Sequence, residues 1–216
     1  MGSRERILAE IRRRLGSGGA APSAAEVEQL ETYLRRHPRG PLRAPAADRV
    51  AQFRARAEAA ASSCERVAGE GEVPAAVARY LEAQGVPKAG CVWPLLASLD
   101  WQGAGLALEA RAANGEDAVG VTGVFCAIAE TGTLMLCSGR DTPASVSLLP
   151  ETHVAIVPVQ RIVAFMEDGW DLARAELGQL PRAVNFISGP SRTADIEQTI
   201  VLGAHGPARV HIVLVG

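Results

Sequence analysis

The chain has 216 residues, with 22 basic and 24 acidic side chains, a net charge of −2 and 48% hydrophobic residues. That suffices for one α/β domain with a substantial core, gives no electrostatic footprint for nucleic acid, and leaves no apolar run long enough to span a bilayer. Met1-Gly2-Ser3-Arg4-Glu5 opens a charged helix and not a signal peptide, so a cytoplasmic location is expected.

Residues 4–15 place Ile7, Leu8, Ile11 and Leu15 on one face of a helix, with Arg12, Arg13 and Arg14 around the other. Gly16 to Ser23 reads as a flexible linker, and a second helix, Ala24 to Arg36, shows Val27, Leu30 and Leu34 and ends before Pro38. His37 to Pro45 is a proline-rich loop, so 1–45 reads as a helical N-terminal arm and 46–216 as the compact domain. The apolar stripes of the arm need cover, either from their own domain or from another subunit in a homo-oligomer.

From Ala47 the pattern alternates: a helix to Ser62, a strand at Glu65 to Ala68, a helix from Val73 to Gln84 and a strand from Ala89 to Trp93. The fold class is therefore α/β, a sheet flanked by helices. Gly103 to Leu108 and Ala118 to Gly123 give no clear assignment, and Trp93 and Trp101 read as core more readily than as pocket lining.

Gly120 to Cys137 reads as strand, turn, strand around Glu130-Thr131-Gly132-Thr133, with both flanks apolar enough to be buried on two faces. A carboxylate at that junction is either a hairpin-tip side chain in water or, if buried, a general base or nucleophile. Ser138 and Arg140 follow in a polar loop, either part of an anion site or plain surface. Thr152 to Pro158 is a strand with His153 at its mouth, and Gln160 to Leu177 a helix interrupted or bent at Glu167-Asp168-Gly169.

Val184 to Ile187 is a strand that stops at Ser188-Gly189-Pro190, after which Ile196, Ile200 and Val201 suggest an amphipathic helix running to Gly203. Ser188, Gly189, Ser191, Arg192 and Thr193 would then sit before free helix N–H groups, a natural place for phosphate or carboxylate. The alternative is that Ser191 or Thr193 only caps the helix and Arg192 is solvated. Asp195 and Glu197, just inside the first turn, make a mixed polar site. His205, followed by Gly206 in a glycine-bounded turn before the last strand (208–215), is either an acid/base group or a turn histidine bonded to backbone.

The four cysteines (Cys64, Cys91, Cys126 and Cys137) lie far apart and form no CxxC pair, and the four histidines are as dispersed. No zinc or iron–sulfur motif is present in the sequence, and no cofactor is assigned from it.

Glu130-Thr131-Gly132-Thr133, Leu149-Pro150 with His153, the run from Ser188 to Glu197, and His205-Gly206-Pro207 together resemble the lactate utilization protein C family, whose domain is the LUD domain. The resemblance covers roughly residues 46–215. It implies a fold similar to ribose-5-phosphate isomerase, glucosamine-6-phosphate deaminase and the CoA transferases, and a part in bacterial oxidation of L-lactate to pyruvate beside two iron–sulfur partner proteins. CoA transferases of this fold use a glutamate in a Glu-x-Gly context, which Glu130-Thr131-Gly132 resembles.

Three readings stay open. One is a non-redox component of a lactate-oxidising complex, holding a small anionic ligand or a partner at loops 130–133, 188–193 and 205–207. Another is an independent enzyme on a phosphorylated or acyl-CoA substrate, with Glu130 as base or nucleophile, Arg192 as anion clamp and His205 as acid/base. The last is a structural interaction protein.

Overall fold

The computed structural model describes residues 2–16, 21–194, 200–203 and 205–216. The chain divides into two compact units, Met1–Arg43 and Ala44–Gly216. The first holds helices α1 (Ser3–Arg14) and α2 (Ala24–Arg36). Ser23 caps α2, its hydroxyl accepting from the Glu26 N–H while the Glu26 carboxylate accepts from the Ser23 N–H at 2.8 Å. Ile7, Ile11, Leu30 and Leu34 are exposed.

The second unit is built on a sheet of six strands, all parallel: β1 (Ser63–Val67), β2 (Ala89–Val92), β3 (Ala107–Ala110), β4 (Val119–Thr122), β7 (Thr152–Pro158) and β12 (Arg209–Val215), in the order β1-β12-β7-β4-β2-β3. A second sheet takes β5 (Cys126–Ile128), β6 (Thr133–Cys137), β8 (Ile162–Val163) and β9 (Val184–Ile187) in the order β8-β5-β6-β9. The helices are α3 (Arg49–Ala59), α4 (Val73–Ala83), α5 (Ser145–Leu148) and α6 (Met166–Leu177). The α/β reading, a sheet flanked by helices, holds.

The central strands β4, β7 and β12 are covered on both faces, which is why they are mostly apolar, while the edge strands β1 and β3 are partly exposed. On β7, Val154 and Ile156 pack with α4, while Ala155 and Val157 turn to the opposite face. That face meets α3, α5 and Ala127, Leu134 and Leu136 of the second sheet. On its far side, Cys126 and Met135 meet Ala173 of α6.

Two expected elements differ. Among the described residues after Ser191 the chain is extended and not helical: β10 (Arg192–Ala194) pairs antiparallel with β11 (Ile200–Leu202) in a two-stranded ribbon. Thr193, Ile200 and Val201 are β-branched and favour the pleated ribbon over a helix. Asp195 and Glu197 lie outside the described residues. Likewise, Glu167-Asp168-Gly169 does not interrupt a long helix. Ile162–Val163 is a strand, and α6 starts at Met166, with the Asp168 carboxylate accepting the Phe165 N–H at 2.9 Å. Gly169 is buried where a Cβ would lie 3.1 Å from both the Cys126 and Met135 sulfurs, so it lets α6 approach the sheet.

Candidate functional site

Strand direction divides the second unit into two ends. The link Gly123 to Phe125 leaves the carboxyl end of β4, and β5 runs back beside the sheets, so the β5–β6 hairpin tip (residues 129–132) lies at the amino end of the parallel strands. β9 is antiparallel to β6, with Ile187 opposite Leu134, which delivers Ser188 to that end as well. The loop before β12 opens there too.

At the amino end the loops are stitched together by short contacts. Thr133 Oγ1, almost fully buried, sits 2.7 Å from Thr131 Oγ1 and 2.6 Å from Ser188 Oγ, a chain of three hydroxyls joining the hairpin tip to the loop after β9. The Ser191 N–H donates to the Pro207 carbonyl at 2.9 Å, and the Ser191 carbonyl accepts from the Gly203 N–H at 2.9 Å. Gly206 lies against Ser191, where an added Cβ would come within 3.3 Å of the serine Cβ.

Both loops lean on the end of α3. Gly132 has φ +68° and would place a Cβ 2.3 Å from the Ala57 nitrogen. Gly189 has φ +76° and would place one 2.0 Å from the Ala60 carbonyl oxygen. Glycine is required twice over at each position, by handedness and by space. The exposed Arg192 guanidinium donates to the same Ala60 carbonyl at 3.1 Å and, among the described residues, has no carboxylate partner.

Glu130 is half-buried at the hairpin tip, its N–H donating to the Ala164 carbonyl at 3.1 Å. Thr131 and His205 are exposed. The structure thus gathers Glu130, Thr131, Gly132, Thr133, Ser188, Gly189, Ser191, Arg192 and Gly206, with His205 in the adjoining loop. The Thr193 backbone pairs with Val201 in the adjoining ribbon, and Asp195 lies outside the described residues.

Ser138 and Arg140 are not part of this assembly. Thr133 and Ser138 bracket β6, about 17 Å apart on an extended strand, so Ser138 and Arg140 stand at the carboxyl end. There the Ser138 hydroxyl accepts from the Ala183 N–H at 2.9 Å, and Arg140 is exposed.

His153 is not at a strand mouth. It is completely buried between Gly120 and Val210, with Nε2 2.8 Å from Thr122 Oγ1 and Nδ1 without a partner among the described residues. Burial pushes its pKa down to about 4, so the ring is neutral. The tautomer with hydrogen on Nε2 is favoured, because it leaves an acceptor and not a donor unpaired. His211 is also buried, with Nδ1 2.8 Å from Ser63 Oγ and its ring stacked 3.8 Å from that of Tyr80; burial lowers its pKa to about 4.

All four cysteines are free thiols. Burial raises Cys91 and Cys126 to about 12 and Cys64 to about 11, which suppresses thiolate chemistry. Among the described residues no group of three or more His, Cys, Asp or Glu is placed to hold a metal ion, and no helix is long and apolar enough to cross a membrane.

The glycines of this site were readable as turn positions. The support from α3 was not, because the Ala60 carbonyl that receives Arg192 belongs to the backbone and carries no side-chain signature.

The LUD domain family model matches residues 50–215. The chain belongs to the LUD domain family.

Lactate utilization protein C of Bacillus subtilis (strain 168) is 43% identical to it over 100 residues, 45% of this chain and 42% of that protein. The protein of the same name in Bacillus licheniformis is 35% identical over 127 residues, 57% of this chain and 53% of the relative. The chain spans about half the length of the curated relatives it matches. A crystal structure of a DUF162 family protein from Deinococcus radiodurans superposes with a TM-score of 0.60 at 24% identity, covering 82% of this chain and all of the other, a likeness of fold. The LUD match begins within α3, so the helix that supports both loops lies inside the domain.

Proposed function

We propose that this LUD-domain chain is a non-redox component of a lactate utilization system, and that its amino-end loops hold a small carboxylate. The pathway rests on relatives named lactate utilization protein C. The site rests on one observation: loops 130–133 and 188–192 lean on the end of α3, with loop 205–207 tied to Ser191, around an arginine whose partner among the described residues is a carbonyl. A carboxylate would complete Arg192 with charge-assisted hydrogen bonds, and the chain of three hydroxyls from Ser188 to Thr131, whose two mutual bonds use two of its three hydrogens, leaves one donor and spare lone pairs for a second polar group such as the hydroxyl of a hydroxy acid. Iron–sulfur partner proteins supply the electron transfer, for which this sequence has no ligand motif.

The test is calorimetric titration of the full chain with L-lactate, D-lactate, pyruvate and inorganic phosphate. Saturable binding of L-lactate or pyruvate is expected, weakened on the order of tenfold to a hundredfold in Arg192→Ala, the range for loss of a charged hydrogen bond. Unchanged affinity in that variant would remove Arg192 from the site. Co-purification with iron–sulfur proteins under anaerobic conditions tests the assembly, and repeated isolation of the chain alone would count against it.

A further inference from the structure

The carboxyl end of the parallel sheet holds a different kind of space. Beyond β2 the chain turns through Trp93 to Leu96 and buries Trp101 and Leu106 on the α4 face. Beyond the neighbouring β4 it leaves through Gly123 and Val124 for the second sheet on the opposite face. Adjacent parallel strands whose connections depart to opposite faces leave a crevice outside their carboxyl ends, where open α/β sheets bind ligands.

Two cavities occupy that crevice, of about 340 Å³ and 250 Å³, and Leu95 and Val124 line both. The larger has Trp93 and Phe125 among its walls, and none of its lining side chains is charged. Its roof is the loop after β6. The Trp93 indole N–H donates to the Pro143 carbonyl at 3.1 Å, and the Leu95 N–H donates to the Asp141 carbonyl at 3.2 Å, which pins that loop over the exit of β2.

Two hydroxyls face the larger cavity with defined spare capacity. Ser138 Oγ accepts from the Ala183 N–H, so its own hydrogen is left to donate. Thr142 Oγ1 donates to the Cys137 carbonyl at 2.9 Å, so its lone pairs are left to accept. A group offering an acceptor beside a donor, as a carboxamide or lactam does, satisfies both. Aromatic and aliphatic walls suit a flat ring, and a charge buried there would have no partner.

We propose that the carboxyl-end cavity between β2 and β4 binds an uncharged planar ring bearing a carboxamide or lactam edge, with Ser138 and Thr142 reading that edge. This site is separate from the amino-end loops and does not depend on their function.

The test is to titrate the full-length, isotope-labelled chain with benzamide, benzoate and benzamidine and follow amide and indole N–H shifts. Benzamide is expected to bind with a Kd on the order of 1 mM, shifting the Trp93 indole and the amides of Leu95, Val124 and Gly139, with both charged analogues at least tenfold weaker. Leu95→Trp, at an exposed position, should fill the mouth and abolish the shifts. Equal binding of benzoate or benzamidine, shifts mapping elsewhere, no binding of benzamide, or full binding by a folded Leu95→Trp would each overturn the proposal. Should that variant not fold, the shift map of the native chain decides alone.

Discussion

His153 and His211 are held neutral inside the core, each with a pKa lowered from 6.5 to about 4 by burial. Among the described residues both have a partner on one ring nitrogen alone, and protonation would strand a charge. The unfolded chain takes up these protons below about pH 6.5 while the folded chain resists until about pH 4. Their stabilisation is therefore complete above the unfolded value and is lost as pH falls through that window, up to about 3 kcal/mol for each histidine. Urea unfolding between pH 7 and pH 4 should show this decline, with a shallower slope in His211→Phe, which keeps the ring against Tyr80. An unchanged slope in that variant would show that His211 titrates normally. At the amino-end loops, Gly132→Ala and Gly189→Ala each combine a left-handed backbone with a collision against α3. Each should cost about 1–3 kcal/mol by denaturant unfolding; a change below about 0.5 kcal/mol would mean that the loops yield without cost.

At the scale of elements, legibility followed burial. β7 and β12 were plain because the runs Val154 to Val157 and Ile212 to Val215 are wholly apolar and sit between two covered faces. The β5–β6 hairpin was plain because Gly132 marks its turn. The stretch after Ser191 misled for a physical reason: Ile196, Ile200 and Val201 fit a helical period, yet Thr193, Ile200 and Val201 prefer extended backbone. With the ribbon in place of a helix, an anion gains nothing from a helix dipole at Ser191, and the charge rests on Arg192. Gly169 misled in the opposite way, reading as a break where it serves close packing of α6 on Cys126 and Met135. The start of α6 is instead set by Asp168, and Asp168→Ala should lower stability by about 1 kcal/mol in urea unfolding with an unchanged dependence on denaturant. No loss would assign the helix start to packing alone.

At the scale of the whole second unit, the chain presents two chemically opposite ends. The amino end gathers hydroxyls and a guanidinium on glycine-shaped loops against α3, and the carboxyl end encloses an apolar crevice roofed by the loop after β6. From the sequence, Ser138 and Arg140 could be either part of the anion site or plain surface, because polarity and order along the chain do not reveal which end of a strand a loop occupies. That became apparent only from the antiparallel return of β6 and β9.

The most direct test of the central claim is to map L-lactate onto the native full-length chain by amide chemical shifts. Saturable shifts are expected at Thr131, Gly132, Thr133, Ser188, Gly189 and Arg192, with Trp93 and Ser138 unmoved. Shifts confined to Trp93, Ser138 and their neighbours, or none at any position, would contradict it.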